Sequence, residues 1–200
     1  MPRRRAVVLL TLVAGAAVLG WSLRTTPGSA WFYAASLIMA LVWTVGGLAS
    51  GPLRLGRLRE ERPLLPPLLL GLSLAGVFVV GGLLFRHVGF VDRQVGDVLA
   101  YADRGAPLVV LLVTVVNGIA EEIFFRGAAY AALPRPALTS TLLYAAVTAA
   151  AGNLMLTVAA ALLGVVVARQ REVTGGLLAP TITHVTWSVA MLYALPLVFA

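Results

Sequence analysis

Within GIAEEIFFRG, residues 118–127, two carboxylates and a guanidinium stand close together in an otherwise apolar stretch. Glu122 and Arg126 are four residues apart, so on a helix they share a face and can pair, which offsets part of the cost of burying them. Glu121 lies about 100° round the same helix and has no local cation of its own. A carboxylate in apolar surroundings without a counter-ion is a poor resting anion and a ready proton acceptor, the property that a general base uses. Asn117, one turn earlier on the same face, is placed to hydrogen-bond it. The competing reading is structural, with the three charges holding helices together and performing no chemistry. A second ionisable group, His184 in APTITHVTWS, lies near the C-terminus. A lone imidazole among apolar residues serves either as a bridge between helices or as a ligand.

The elements that must carry these groups are membrane helices. Of 200 residues 60% are hydrophobic and 12% charged, about half the charged fraction of a soluble domain, and mean hydropathy is +0.95. Several apolar runs are long enough to cross roughly 30 Å of hydrocarbon. The expected fold is therefore all-α, a polytopic membrane helix bundle of about seven transmembrane helices: Ala6–Leu23, Ala30–Leu48, Leu64–Phe85, Pro107–Leu133, Ala137–Gly152, Leu154–Ala168 and Gly176–Phe199. Inside such spans each charge costs about 2.5–3.5 kcal/mol on insertion scales, so ionisable groups there face the bundle interior or a wet cavity.

The net charge of +7 is carried by fifteen basic residues, all of them arginine. They cluster at the ends of apolar runs, and no basic stripe with exposed aromatics is present, which argues against nucleic acid as a partner. Arg3–Arg5, Arg54 to Arg62, Arg135 and Arg169 with Arg171 all fall on one side when seven spans alternate. By the positive-inside rule that side is cytoplasmic, with the N-terminus, and the setting is a multi-pass protein of the plasma membrane. The segment RLGRLREER, Arg54 to Arg62, reads as a solvated cytoplasmic anchor. The opposite connection, Arg86 to Gly105, balances three arginines with Asp92, Asp97 and Asp103. The opening segment has the charged start and apolar core of a signal peptide, but its length favours a retained first span. There is no cysteine, which removes disulfides, thiolate catalysis and Cys-bound metal.

Depth brings the two polar sites together. With about 1.5 Å of rise per residue from the cytoplasmic ends, Glu121 lies about 18 Å in and His184 about 13 Å in. A carboxylate and an imidazole at similar depth can share one cavity.

The motif EEIFFRG resembles the EExxxR signature of the type II CAAX prenyl endopeptidase and bacteriocin-processing family, also called CPBP or Abi, which are intramembrane proteases. The following blocks are similar in order: an aromatic-xxx-His helix, here Tyr144-Ala-Ala-Val-Thr148; a Gly-containing helix with a basic end, LLGVVVARQREVTGGLLAP; and an HxxxN helix, here His184-Val-Thr-Trp-Ser188. The resemblance divides the chain into N-terminal transmembrane helices and loops, 1–106, and a protease core, 107–200. It implies a water-filled cavity where the first Glu and a His activate water on a peptide carbonyl, and where further His and Asn groups bind metal or stabilise the oxyanion. Carried over, Glu121 is the base, Glu122 and Arg126 the structural pair, and His184 a ligand or oxyanion donor. Asn117, Thr148 and Ser188 are candidate substrate or oxyanion contacts. Glu121 and His184 are the candidate metal ligands, for zinc if any. The substrate implied is a membrane-proximal peptide or a prenylated protein, met at the lipid bilayer.

Thr148 and Ser188 stand where the family pattern has His and Asn, and a hydroxyl is a poor zinc ligand beside imidazole or carboxylate. A member that keeps the cavity but acts as a scaffold or immunity-type binding protein is the alternative. A proton-coupled transporter built on Glu121 is a third class, disfavoured by the lack of inverted repeats and paired broken helices.

Overall fold

A computed structural model of the protein describes residues 2–56 and 64–199. Arg57, Arg59 and Arg62, and with them most of the expected cytoplasmic anchor, lie outside the described residues. With no water in the hydrocarbon to satisfy an exposed backbone, an apolar chain of this kind forms helices. They are α1 (Pro2–Ser22), α2 (Ala30–Ala49), α3 (Leu65–Phe85), α4 (Gly89–Asp103), α5 (Pro107–Glu122), a π-helical segment (Ile123–Ala129) that runs on into the single turn α6 (Tyr130–Ala132), α7 (Pro136–Ala149), α8 (Leu154–Thr174) and α9 (Leu178–Val198).

Local chemistry sets the ends. Prolines occupy the first turns of α3, α5 and α7, where an absent amide donor removes nothing from the helix. Ser29 caps α2 by accepting the Phe32 N–H at 3.2 Å, and Asn153 caps α8 by accepting the Leu156 N–H at 2.9 Å, as Ser and Asn do. Gly175 closes α8 in the left-handed conformation, φ 69°, its N–H on the Arg171 carbonyl, a geometry that glycine adopts without a Cβ penalty.

Among the described residues six helices are long and apolar enough to cross a membrane, and α7 is a shorter apolar helix. The expected count of seven spans thus resolves into six full-length spans and one helix of 14 residues, about 21 Å at 1.5 Å per residue. The expected loop between the third and fourth spans holds a helix of its own, α4. It lies across one end of the bundle: Asn153 Nδ2 donates to the Gln94 carbonyl at 2.6 Å, the Leu154 N–H donates to Gln94 Oε1 at 2.7 Å, and Tyr101 OH lies 2.9 Å from the carbonyls of both Leu23 and Thr25.

At the other end the arginine-bearing segments meet. Arg4 donates to the Pro52 carbonyl and Arg5 to the Ala132 carbonyl, while the extended stretch around Arg54 and Leu55 accepts the N–H groups of Leu177 and Leu178 at 3.1 and 3.2 Å. These contacts gather Arg4, Arg5 and Arg54 at one end of the bundle.

Between the ends α3 packs on α9, α7 on α8, α1 on α2, and α5 on both α2 and α9. Lipid tails are as apolar as leucine, so the contacts depend on close approach through small residues. A Cβ at Gly15 would lie 2.0 Å from the Trp43 indole, and one at Gly71 would lie 2.7 Å from the Thr183 carbonyl. Trp43 stacks on Phe124 and Phe125 with centroids 4.7 and 5.1 Å away, which joins α2 to the π-helical segment at the centre of the apolar core.

Candidate active site

The α5 helix and the π-helical segment carry the EExxxR residues. A regular α-helix through this motif is the simplest expectation, yet from Ile123 the backbone widens: the Tyr130 N–H reaches the Phe125 carbonyl, five residues back. Such π turns occur frequently at functional sites. Arg171, at the end of α8, donates its Nε–H to the Arg126 carbonyl inside this turn at 3.1 Å, and its guanidinium lies 5.0 Å from the Tyr130 ring centroid. The widened turn is therefore tied to the neighbouring helix by a buried side chain.

Glu122 and Arg126 pair at 3.3 Å and both side chains are fully buried. Arg126 also donates from Nη2 to the Gly164 carbonyl, which accepts the Thr141 hydroxyl as well. A Cβ at Gly164 would come within 3.3 Å of that guanidinium nitrogen and 3.0 Å of the Thr141 methyl, so glycine is what permits this approach. The face of the guanidinium lies 4.7 Å over the Tyr144 ring, a cation–π contact.

His184 comes in from α9. Its Nδ1 lies 2.8 Å from Glu122 Oε1, and its Nε2 lies 3.9 Å from Glu121 Oε2. The imidazole edge rests against the backbone of α5, where a Cβ on Gly118 would lie 3.7 Å from it. Nδ1 is thus the nitrogen held by Glu122, and Nε2 is the nitrogen turned toward Glu121.

Glu121 is the least buried member, 18% exposed against 0% for Glu122 and 4% for the His184 side chain. Its Oε2 accepts the Tyr144 hydroxyl at 2.7 Å. Asn117, expected to bond Glu121, instead donates Nδ2 to the Val113 carbonyl at 2.9 Å, and its buried Oδ1 has no partner. Thr148 is buried on α7 one turn beyond Tyr144, and its hydroxyl donates to the Tyr144 carbonyl at 2.9 Å. Ser188 is half-buried on α9, one turn beyond His184.

Four of the expected residues, Glu121, Glu122, Arg126 and His184, thus form one cluster drawn from distant parts of the chain. Tyr144, Gly164 and Arg171 join it without having been singled out. The tyrosine had a signal in sequence, as the aromatic residue four positions before Thr148, but its partner lies on another helix and spacing cannot reveal it.

Zinc fits this donor set poorly. Glu121 Oε2 and His184 Nε2 are two donors, His184 Nδ1 is engaged by Glu122, and the Thr148 hydroxyl is engaged by its own helix. Among the described residues no group of three or more His, Asp or Glu side chains is arranged to hold a metal, whereas catalytic zinc takes three protein ligands.

Residues 103–190 match the family model of the type II CAAX prenyl endopeptidase Rce1-like proteins. Neither curated proteins nor solved structures give a match. Over that segment, which holds every member of the buried cluster, the chain is similar to the type II CAAX prenyl endopeptidase Rce1-like proteins.

Proposed function

We propose that this protein hydrolyses a peptide bond close to the membrane surface by direct attack of water, with Glu121 as general base. The observation that carries the reading is the arrangement of Glu121 Oε2 and His184 Nε2 across 3.9 Å, too far for a hydrogen bond and suited to one bridging molecule. Glu122 and Arg126 form the buried frame that fixes the imidazole.

The charges specify the proton inventory. Two carboxylates against one guanidinium leave one negative charge, which a single further proton, shared by Glu121 and His184, neutralises. Before attack that proton is on His184, so Nδ1–H donates to Glu122 and Nε2–H points toward the gap. Glu121 takes a proton from water as the oxygen adds to the scissile carbonyl, and His184 Nε2–H donates to the developing oxyanion. When the C–N bond breaks, Glu121 passes its proton to the departing amine. The products are a free acid and an amine, and the cluster returns to its starting state. No step is routed through a metal.

The substrate is a membrane-proximal peptide or the tail of a prenylated protein, reached from the arginine-bearing end, which we assign to the cytoplasmic side of the plasma membrane. The test is cleavage of a prenylated peptide by the purified protein in liposomes. Glu121→Gln is expected to lower kcat by about 10²–10⁴-fold, the usual worth of a positioned acid–base group, at unchanged protein level. A rate indifferent to that change removes the reading. The second reading, a peptide-binding member without hydrolysis, is favoured by one observation: the Thr148 hydroxyl is turned to its own helix and adds no ligand to Glu121 and His184.

A further inference from the structure

Two adjacent glutamates on one helix end in different hands. Glu122 is surrounded by charge: Arg126 at 3.3 Å and His184 at 2.8 Å both approach its Oε1. Glu121 has neither Arg126 nor His184 within 3.5 Å, and its short polar contact is the Tyr144 hydroxyl, 2.7 Å from Oε2. A phenol facing a carboxylate can only donate, and such charge-assisted bonds are about twice as strong as neutral ones. The phenol thus holds Oε2 in place facing His184 Nε2 across 3.9 Å.

The Tyr144 ring is itself immobilised. Arg126 lies over its face at 4.7 Å, Phe125 packs on it with centroids 4.9 Å apart, and His184 meets it edge-on at 6.2 Å. A Cβ at Gly164 would be 3.5 Å from its Cδ1. A ring so confined holds its hydroxyl at a fixed point, and the chain thereby fixes Glu121 by a route independent of the Glu122–Arg126 pair.

We propose that Tyr144 is the positioning residue of the base: its hydroxyl holds Glu121 Oε2 facing His184 Nε2, at the gap where the attacking water is bound. The proposal rests on the reading of Glu121 as base, and its test has one arm that does not depend on turnover.

Tyr144→Phe keeps the ring and removes only the hydroxyl. In the infrared, the difference between wild type and Glu121→Gln isolates the Glu121 carboxyl band, and Tyr144→Phe is expected to shift that band. Incorporation of 3-fluorotyrosine at position 144, which retains the shape and strengthens the donor, is expected to shift it in the opposite direction. In the cleavage assay Tyr144→Phe is expected to lower kcat roughly 10- to 100-fold, the effect of deleting one hydrogen bond to a charged group, with KM unchanged. A band identical in wild type and Tyr144→Phe overturns the proposal, as does a kcat within twofold of wild type. Should the wild-type protein cleave nothing, the hydrolytic reading fails and the band alone decides for or against Tyr144.

Discussion

Phe124 and Phe125 sit between Glu122 and Arg126 in sequence, yet the two pairs build opposite kinds of interior. The phenylalanines stack on Trp43 of α2 through ring-on-ring contacts, and Phe125 also borders the charged pair through the Tyr144 ring. The charged pair turns to α7, α8 and α9, where it meets Tyr144, the Gly164 carbonyl and His184. Both knots are fully buried, and they differ in what happens when one member is lost. An aromatic stack in a membrane loses contact area that lipid or a neighbour partly replaces. An ion pair that loses one partner leaves a buried charge that nothing replaces. Thus the stack tolerates repacking, and the charged knot is all or none.

The largest effect should come from splitting the pair. Arg126→Met is expected to destabilise the protein by about 3–5 kcal/mol, as removal of one partner of a buried pair does, seen as lost recovery from detergent and an early thermal transition. The double change Glu122→Gln with Arg126→Met should be less damaging than Arg126→Met alone. Equal damage in the two would show that packing, not charge, holds this knot. On the aromatic side, Trp43→Phe, which keeps one ring of the stack, should cost less than about 3 kcal/mol, the value at which full truncation of a buried aromatic begins, measured by the same unfolding transition. A cost matching that of Arg126→Met would erase the contrast.

The smallest effect should lie outside both knots. The Tyr101 hydroxyl, which ties α4 to the loop after α1, has its pKa raised by burial and then by the nearby Asp97 carboxylate. The fold therefore favours the neutral phenol. Its contribution is complete below the unfolded-state value and is lost as pH rises through the higher folded value. Protection factors in α4, corrected for the intrinsic base-catalysed rate, should fall in strongly alkaline buffer, and Tyr101→Phe should remove that pH dependence while leaving both knots intact.

What the sequence discloses follows from which forces are local. The second and third spans were expected at Ala30–Leu48 and Leu64–Phe85, and the helices run over Ala30–Ala49 and Leu65–Phe85, because an apolar run and its Ser or Pro boundary are properties of adjacent residues. The pairing of Glu122 with Arg126 is legible for the same reason. The approach of Glu121 to His184 came from depth, which any straight membrane helix converts from residue count. Three features escape such reading. The π turn preserves the Glu122–Arg126 pair, so side-chain spacing cannot tell it from an α-helix. The Tyr144 bond joins positions 23 residues apart and depends on how two helices rotate against each other. The α4 helix, with charges spread along it, has too little apolar character to stand out from a loop, and the contacts of Gln94 and Tyr101 hold it in place.

The widened turn at Ile123–Ala129 also bears on how such a site arises and decays. A backbone whose bonds reach one residue further accommodates a surplus residue without breaking the rod, so a one-codon insertion can create the feature and a one-codon deletion can erase it. Erasing it would swing everything beyond the turn through about a quarter of a revolution and draw the Arg126 carbonyl away from Arg171. Reading-frame-preserving indels between positions 123 and 129 are thus a short mutational path between an assembled cluster and a dispersed one, even where every charged residue is retained.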